Sequence, residues 1–295
     1  MRPHRPTPEL PRHLEQLYGR FPFERSLADD PIAPIRRYAT DARRGEVAAI
    51  LGATLAIGNT TAIRAAIARV ADSAGGDVAW LVDPAHAAER RRRLAGFRHR
   101  WIRGDQLDYL FGVLGHYYVR HASLEDAFLE GWASAGFAGG LDRLSAVLRG
   151  EERTGTRRRS PPGYRALFPS PLAGAGSPCK RLTLFVRWMV RPRFPDLGYW
   201  SRVPTGELRI PLDQHVHWIA YHLGLTERRT RSWRAVEEVT EALRRIDPID
   251  PVKYDFVLCH TGISGDCPKE RDLAVCGPCS VRPDCRLWRG RAVAA

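Results

Sequence analysis

Hydrophobic side chains recur at helical spacing along most of this chain. Residues 46–57, EVAAILGATLAI, are apolar on nearly all sides, which predicts a helix buried in a core. Gly58 and Asn59 break the pattern, and the hydroxyl of Thr60 or Thr61 can cap a second helix, TAIRAAIARVAD. Further amphipathic helices are predicted at 106–118, 123–133, 141–149, 180–190, 212–224 and 232–246. Alternation typical of strands is scarce, so the predicted fold class is all-α.

One long segment between the helical blocks is rich in proline, glycine and serine, which interrupt helices. It covers residues 150–178 and includes SPPGYRALFPSPLAGAGSP. Such a composition predicts a loop, and loops of this length inside a compact chain are often functional.

The chain is strongly basic, with a net charge of +13 that comes mostly from arginine. Arginines occur in runs at 90–93 and 157–159. Because guanidinium groups pair well with phosphate oxygens, these runs predict a polyanionic partner such as nucleic acid. The same composition also follows from a GC-rich genome, so charge alone leaves both interpretations open. No apolar run reaches the length of a membrane helix, and MRPHRPTPEL lacks the order of a secretory signal. We therefore expect a cytoplasmic protein with no membrane partner. We also expect it to be nucleoid-associated and monomeric.

Four of the six cysteines lie within the last part of the chain. Their spacing is Cys267-x8-Cys276-x2-Cys279-x5-Cys285. In a reducing compartment, clustered thiols are more often metal ligands than disulfides, and four thiolates can hold zinc or an iron–sulfur cluster. Cys259 is an alternative to Cys267 as the first ligand.

The cysteine spacing resembles the C-x6-C-x2-C-x5-C loop at the C-terminus of the endonuclease III and adenine glycosylase branch of the helix-hairpin-helix DNA glycosylases. The first interval is two residues longer here. The resemblance implies a [4Fe-4S] cluster held by Cys267, Cys276, Cys279 and Cys285, and a structural zinc is the alternative.

Two upstream segments extend this resemblance. IPLDQHVHWIAYHLGL is similar to the glycosylase pattern V-D-T-H-V-x-R-V-x-x-R-L-G-L, and it matches at Asp213 and His215. LAGAGSPCKRL is similar to the hairpin L-P-G-V-G-x-K, with Gly174 and Gly176 at the two glycine positions, but Lys180 then lies two residues after the lysine position. In a second register, Gly176 is the first glycine and Lys180 is at the lysine position, but Pro178 then occupies the position of the second glycine. The wide Lys180 to Asp213 spacing resembles archaeal glycosylases for oxidised guanine. The motifs S-P-C-K-R-L and I-P-L-D-x-H-V also resemble a large bacterial family of uncharacterised function, of which the chain is identified as a member.

The resemblance implies a two-lobed helical fold of the helix-hairpin-helix glycosylase type with a C-terminal cysteine loop. Residues 1–44 would pack on the C-terminal lobe, residues 45–225 would form a barrel-like lobe with the hairpin and the catalytic residues, and residues 226–295 would hold the last helices and the cluster. The implied activity is removal of a damaged base, an oxidised purine being favoured, from duplex DNA, with or without an AP-lyase step. The implied catalytic residues are Lys180 and Asp213, and the implied DNA-binding residues are Asn59, Gly174, Gly176, Ser177, Arg181 and His215.

Physical chemistry gives Lys180 and Asp213 distinct roles. Lys180 adjoins Arg181 at the start of an apolar helix, and a like charge and desolvation both favour the neutral amine, which is the nucleophilic form. Asp213 at a helix start would be kept ionised by the positive helix end, ready to accept a proton or to stabilise a cationic sugar. Taken singly, a Lys-Arg pair is usually solvated, an aspartate before a helix is usually an N-cap, and Gly58-Asn59 can be an ordinary helix stop.

Other interpretations remain open at this level. Asp213 and His217 lie one turn apart and could share a metal, and Trp188, Tyr199 and Trp200 could stack on an extruded base or belong to the core. A non-catalytic nucleic-acid-binding protein stabilised by zinc or iron–sulfur is the main alternative function, and a cytoplasmic redox protein is a further one. The sequence does not identify the lesion, nor does it decide whether Lys180 forms a Schiff base.

Overall fold

Helix is the main secondary structure in the computed structural model, which describes residues 6–151, 159–174 and 176–289. The α-helices are α1 (Leu10–Gly19), α2 (Phe23–Asp29), α3 (Ile32–Tyr38), α4 (Ala42–Leu55), α5 (Thr60–Ser73), α6 (Ala87–Leu94), α7 (Gly104–Tyr118), α8 (Leu124–Leu148), α9 (Lys180–Val190), α10 (Gln214–His222), α11 (Trp233–Arg244), α12 (Asp255–Ile263) and α13 (Leu273–Cys276). The two strands that the described residues contain, β1 (Arg98–His99) and β2 (Ile102–Arg103), form one antiparallel pair. The all-α prediction is confirmed. Within the same residues, no helix combines the length and the apolar character needed to cross a membrane.

The chain divides into two compact units. The first contains residues 1–23, 176–180 and 205–295, and the second contains residues 24–175 and 181–204. These boundaries do not coincide with the predicted segments 1–44, 45–225 and 226–295. Lys180, Asp213 and all four cysteines of the C-terminal cluster belong to the first unit, whereas Asn59, Gly174 and Arg181 belong to the second.

The core of the second unit is built around α4. Residues 45–55 of this helix are buried, as its apolar pattern predicts. Glu46 is the charged exception, and its carboxylate accepts hydrogen bonds from Tyr118 Oη (2.9 Å), Trp200 Nε1 (2.7 Å) and the backbone N–H of Leu124 (3.1 Å). A buried carboxylate is tolerated where donors surround it, so Glu46 joins α4 to the start of α8 and to the chain after α9.

The helix α8 contains a sharp bend. Ala135 and Gly136 have non-helical dihedrals, and the φ of Gly136 is 59°. Beyond the bend the two halves pack closely, because a methyl group on Gly131 would lie 2.2 Å from the carbonyl oxygen of Gly139. The two helices predicted at 123–133 and 141–149 are therefore the two arms of this hairpin, and the glycines allow the close approach of the arms.

The first unit joins the N-terminal helix to the cysteine segment. Asp284 is fully buried, and its carboxylate lies 2.5 Å from His13 Nδ1 and also accepts from the hydroxyl of Thr7. Ser280 Oγ donates to the carbonyl of His13 (3.1 Å). Because these contacts link residues of α1 with residues between the last cysteines, α1 supports the shape of the cysteine loop.

Candidate active site and cysteine pocket

Asp213 is the N-cap of α10. Its Oδ1 atom accepts backbone hydrogen bonds from His215 and Val216, both at 2.8 Å, which satisfies two N–H groups of the first turn. The other carboxylate oxygen, Oδ2, accepts from the thiol of Cys259 at 3.3 Å. The residue is half-buried. Three hydrogen-bond donors therefore hold a carboxylate that is still partly open to solvent.

The thiol of Cys259 reaches Asp213 because α10 and α12 pack closely. Gly262 lies on the same face of α12 as Cys259, and a methyl group on Gly262 would lie 2.5 Å from the Cβ atom of His215. Only glycine permits this approach without a shift. His215 is half-buried at this contact.

We expect Gly262→Ala to lower the free energy of unfolding by about 1–3 kcal/mol, because the added methyl group forces α10 and α12 apart. Chemical denaturation measures this change. Gly19→Ala is the matched control, because nothing lies within 4 Å of a methyl group at that helical position. Equal stability of the two variants would contradict the close packing of α10 and α12.

Lys180 is the first residue of α9 and is half-buried. The residue before it, Cys179, has a φ of 50°, which is unusual for a residue other than glycine, and its backbone N–H donates to Ser177 Oγ (3.1 Å). Gly174 and Gly176 also have positive φ values, 67° and 50°, and both are exposed. Exposed amides in such a turn, at the start of a helix, can bind a phosphate.

The predicted hairpin before Lys180 differs from a helix-hairpin-helix motif in one respect. Residues 159–174 contain a 3₁₀ helix at Tyr164–Leu167 and no α-helix, so the glycines follow a short turn. This stretch is nevertheless anchored, because Tyr164 is fully buried and its hydroxyl donates to the carbonyl of Leu148 at 2.5 Å. Arg157 and Arg158, named above as phosphate contacts, lie outside the described residues.

Arg181 already has partners within its own unit. Its Nη2 atom donates to the carbonyl of Ala166 (3.0 Å), and its guanidinium carbon lies 5.7 Å from the ring centroid of Trp101. If Arg181 binds a DNA phosphate, as expected, its guanidinium group would serve the phosphate in addition to these two partners.

Asn59 caps α5 and lies beside a hairpin that the sequence did not predict. Its Oδ1 atom accepts from the backbone N–H of Ala62 at 2.8 Å, so Asn59 occupies the capping position expected for Thr60 or Thr61. The neighbouring Gly58 has a φ of 109°, and a methyl group there would lie 2.8 Å from Nε of Arg100. Asn59 is exposed, and Trp101 at the hairpin tip is 43% exposed.

A buried histidine fixes this hairpin. The Nε2 atom of His99 lies 3.0 Å from the carbonyl oxygens of both Leu55 and Ile57, at the end of α4. Arg100 has a φ of 55° in the turn, and the strands β1 and β2 are too short to give a periodic signal. The sequence signal for this hairpin was Trp101 between two arginines, Arg100 and Arg103.

The four C-terminal cysteines line one pocket. Apolar side chains form most of its wall, including Val281, Leu287 and Trp288. Cys276 is buried and the other three cysteines are half-buried. Cys259 is absent from the wall among the described residues, and its thiol faces Asp213 instead. This placement favours Cys267 over Cys259 as the first ligand.

The chemistry of the pocket fits a metal or a metal cluster. Burial raises the pKa of Cys267 to about 12, and neighbouring cysteines add to the shift. Burial likewise raises the pKa values of Cys279 and Cys285. Four thiolates in such surroundings require a cation to compensate their charge. No three His, Cys, Asp or Glu side chains in the described residues are grouped closely enough to hold a metal ion, so the sulfurs would have to move closer together to bind one.

The helix α10 connects this pocket with Asp213. Ile219, His222 and Leu223, at its C-terminal end, line the pocket, and the carbonyl of His222 accepts from the backbone N–H of Arg286 (2.7 Å). Asp213 caps the other end of the same helix. The nine-residue helix α10 therefore has the candidate carboxylate as its N-cap and part of the cysteine pocket at its other end.

Two alternatives from the sequence find little support. The Nε2 atom of His217 lies 3.0 Å from the carbonyl of Arg228, and burial lowers the pKa of His217, so this nitrogen is not directed toward a metal shared with Asp213. Trp188 and Trp200 are each 2% exposed and belong to the core, whereas Tyr199 is half-buried and donates to the carbonyl of Ala39 (2.7 Å).

Comparison with known proteins gives one match. No curated protein and no solved structure is significantly similar to the chain. The sequence profile of one family matches residues 30–264, a range that contains Lys180, Asp213 and Cys259 and ends before Cys267. Because the match covers well over half of the 295 residues, the chain belongs to the family described as protein of unknown function (DUF2400).

Proposed function

We propose that this protein is a DNA glycosylase that removes a damaged base, in which Lys180 and Asp213 act on the sugar of an extruded nucleotide. The observation that carries the proposal is the position of Asp213 on α10, whose other end lines the pocket of the four cysteines. The segment 176–180, which ends at Lys180, belongs to the same compact unit. Lys180, Asp213 and the four cysteines thus belong to one unit, which supports a glycosylase-like fold.

Few lysines in the chain could serve as the nucleophile. The sequence has only three lysines, at positions 180, 253 and 269. Lys253 Nζ lies 2.6 Å from Glu15 and 3.1 Å from Asp247; burial lowers its pKa, but these carboxylates outweigh that effect and raise it. A lysine held in its charged form is a poor nucleophile. Lys269 is exposed, whereas Lys180 is half-buried at the start of α9, so Lys180 is the best candidate for the nucleophile.

The reaction follows from these two groups. The neutral amine of Lys180 attacks C1′ of the sugar, the bond from C1′ to the base breaks, and the base leaves with the electron pair and takes up a proton. The carboxylate of Asp213 accepts the proton that the new ammonium group releases, and it stabilises the positive charge that develops on the sugar. If water replaces the amine, Asp213 alone serves as the base.

The second unit offers a surface suited to DNA. Asn59 and Trp101 are exposed on adjoining loops, with Arg98 and Arg100 beside them. Aromatic rings stack on bases and arginines bind phosphates, so this surface can support an opened duplex. The net charge of +13 adds a favourable electrostatic contribution to binding.

We further propose that Cys267, Cys276, Cys279 and Cys285 hold a [4Fe-4S] cluster, with zinc as the alternative. When bound, such a group supplies positive charge that neutralises the thiolates and ties the C-terminal loop together. Quantification of iron, sulfide and zinc in protein purified without oxygen distinguishes the two.

Borohydride trapping tests the enzymatic proposal. The protein is incubated with duplexes that each carry one lesion opposite each normal base, and sodium borohydride reduces any Schiff base to a stable adduct. We expect wild-type protein and Lys269→Ala to form the adduct and Lys180→Ala to lose it. Base release that persists in Lys180→Ala but not in Asp213→Asn would instead indicate a glycosylase that uses water. Binding to every duplex without base release would favour the metal-stabilised nucleic-acid-binding protein.

A further inference from the structure

We infer that Cys259 is a positioning residue that fixes the orientation of the Asp213 carboxylate. This inference rests on the proposed function, because it gives Cys259 a role in the same reaction. It is carried by the hydrogen bond from Cys259 Sγ to Asp213 Oδ2 at 3.3 Å. The sequence suggested Cys259 only as an alternative metal ligand, and its position away from the cysteine pocket leaves this thiol to a separate role.

The carboxylate of Asp213 needs a second point of attachment. Both backbone donors, His215 and Val216, bond to Oδ1, so they hold one oxygen and leave the other to rotate. The torsion between Cβ and the carboxyl group of aspartate has broad preferences, so helix capping alone does not fix the plane. A hydrogen-bond donor to Oδ2 fixes the plane of the carboxylate, and the thiol of Cys259 is this donor. Catalysis is sensitive to such orientation because a proton acceptor must lie within hydrogen-bond reach of its donor.

The position of Cys259 is itself well determined. Cys259 lies in the middle of α12, and three residues later Gly262 makes the close contact with His215 on α10. Cys259 and Gly262 share one face of α12. The close approach of α12 to α10 that Gly262 permits therefore also sets the distance from the Cys259 thiol to Asp213.

A thiol suits this position chemically. It is a weak and uncharged donor, so it orients the carboxylate without forming an ion pair that would reduce its basicity. A lysine or arginine in its place would hold the carboxylate more tightly and compete for the proton.

Two measurements test the inference. The first compares the single-turnover rate constant of base excision with the affinity for the same duplex in Cys259→Ala and Cys259→Ser. We expect Cys259→Ala to lower the rate constant about tenfold, which corresponds to about 1.4 kcal/mol, with unchanged affinity. Cys259→Ser keeps a donor and should recover most of the rate. Thr261→Val is the matched control on α12, because the hydroxyl of Thr261 donates to the carbonyl of Val257 and not to Asp213.

The second measurement does not depend on activity. The S–H stretching band of Cys259, identified by its loss in Cys259→Ala, should shift to higher frequency in Asp213→Ala, because the thiol then loses its hydrogen bond to the Asp213 carboxylate. An unshifted band overturns the inference whatever the activity. A shifted band together with a Cys259→Ala variant as fast as Thr261→Val also overturns it, while the proposed function stands. Absence of excision by the wild-type protein on every lesion overturns the proposed function, and the positioning role falls with it.

Discussion

Replacing Asp213 by asparagine is expected to lower the rate of base excision by about a thousandfold, within the range found for loss of a general base. Asparagine caps helices as well as aspartate does, so its side-chain oxygen can keep the backbone hydrogen bonds that hold the start of α10. The substitution therefore removes the charge and keeps the structure. Single-turnover kinetics on the preferred lesion measures the effect, and thermal unfolding verifies that the fold is retained.

A second aspartate provides the matched control for this experiment. Asp41 is the N-cap of α4, where its side chain accepts from the backbone N–H of Arg44, and Asp41→Asn should leave the excision rate unchanged. Asp213→Ala should show the catalytic loss together with a loss of about 1 kcal/mol of stability from the missing cap. A normal excision rate in Asp213→Asn would mean that Asp213 is only an N-cap, and the proposed mechanism would be wrong.

Replacing Cys276 by serine is expected to remove the metal and to lower the free energy of unfolding by more than about 4 kcal/mol. Cys276 is the buried member of the four cysteines and lines their pocket. Because the pocket also includes the end of α10, loss of the metal should loosen both the loop and that helix. Metal content measured by elemental analysis and stability measured by chemical denaturation should change together.

The remaining cysteines serve as controls and decide the ligand set. Cys179→Ser should keep the full metal content, because Cys179 lies in the turn before Lys180 and not in the pocket. We expect Cys267→Ser to lose the metal and Cys259→Ser to retain it. The reverse result would assign Cys259 as the ligand, and a full metal content in Cys276→Ser would show that the pocket holds no metal.

The helices whose signals are local could be predicted closely. The helix at Lys180–Val190 has the predicted bounds, and the predicted helix at 106–118 differs from α7 by two residues at its start. Short elements that depend on distant contacts were missed. The hairpin β1–β2 is held by His99 against carbonyl groups of residues 55 and 57, more than forty positions earlier in the chain.

The sequence by itself determined the all-α class and supplied the candidates Lys180, Asp213 and the four cysteines. Periodicity, turn residues and motif spacing are local properties, so they can be interpreted without coordinates. Only the tertiary structure decided that Cys259 bonds to Asp213, that Cys267 lines the cysteine pocket, and that α10 connects the pocket with the carboxylate. Each of these depends on how α10 packs against α12 and the C-terminal loop, and packing between segments distant in the chain leaves no periodic signal in the sequence.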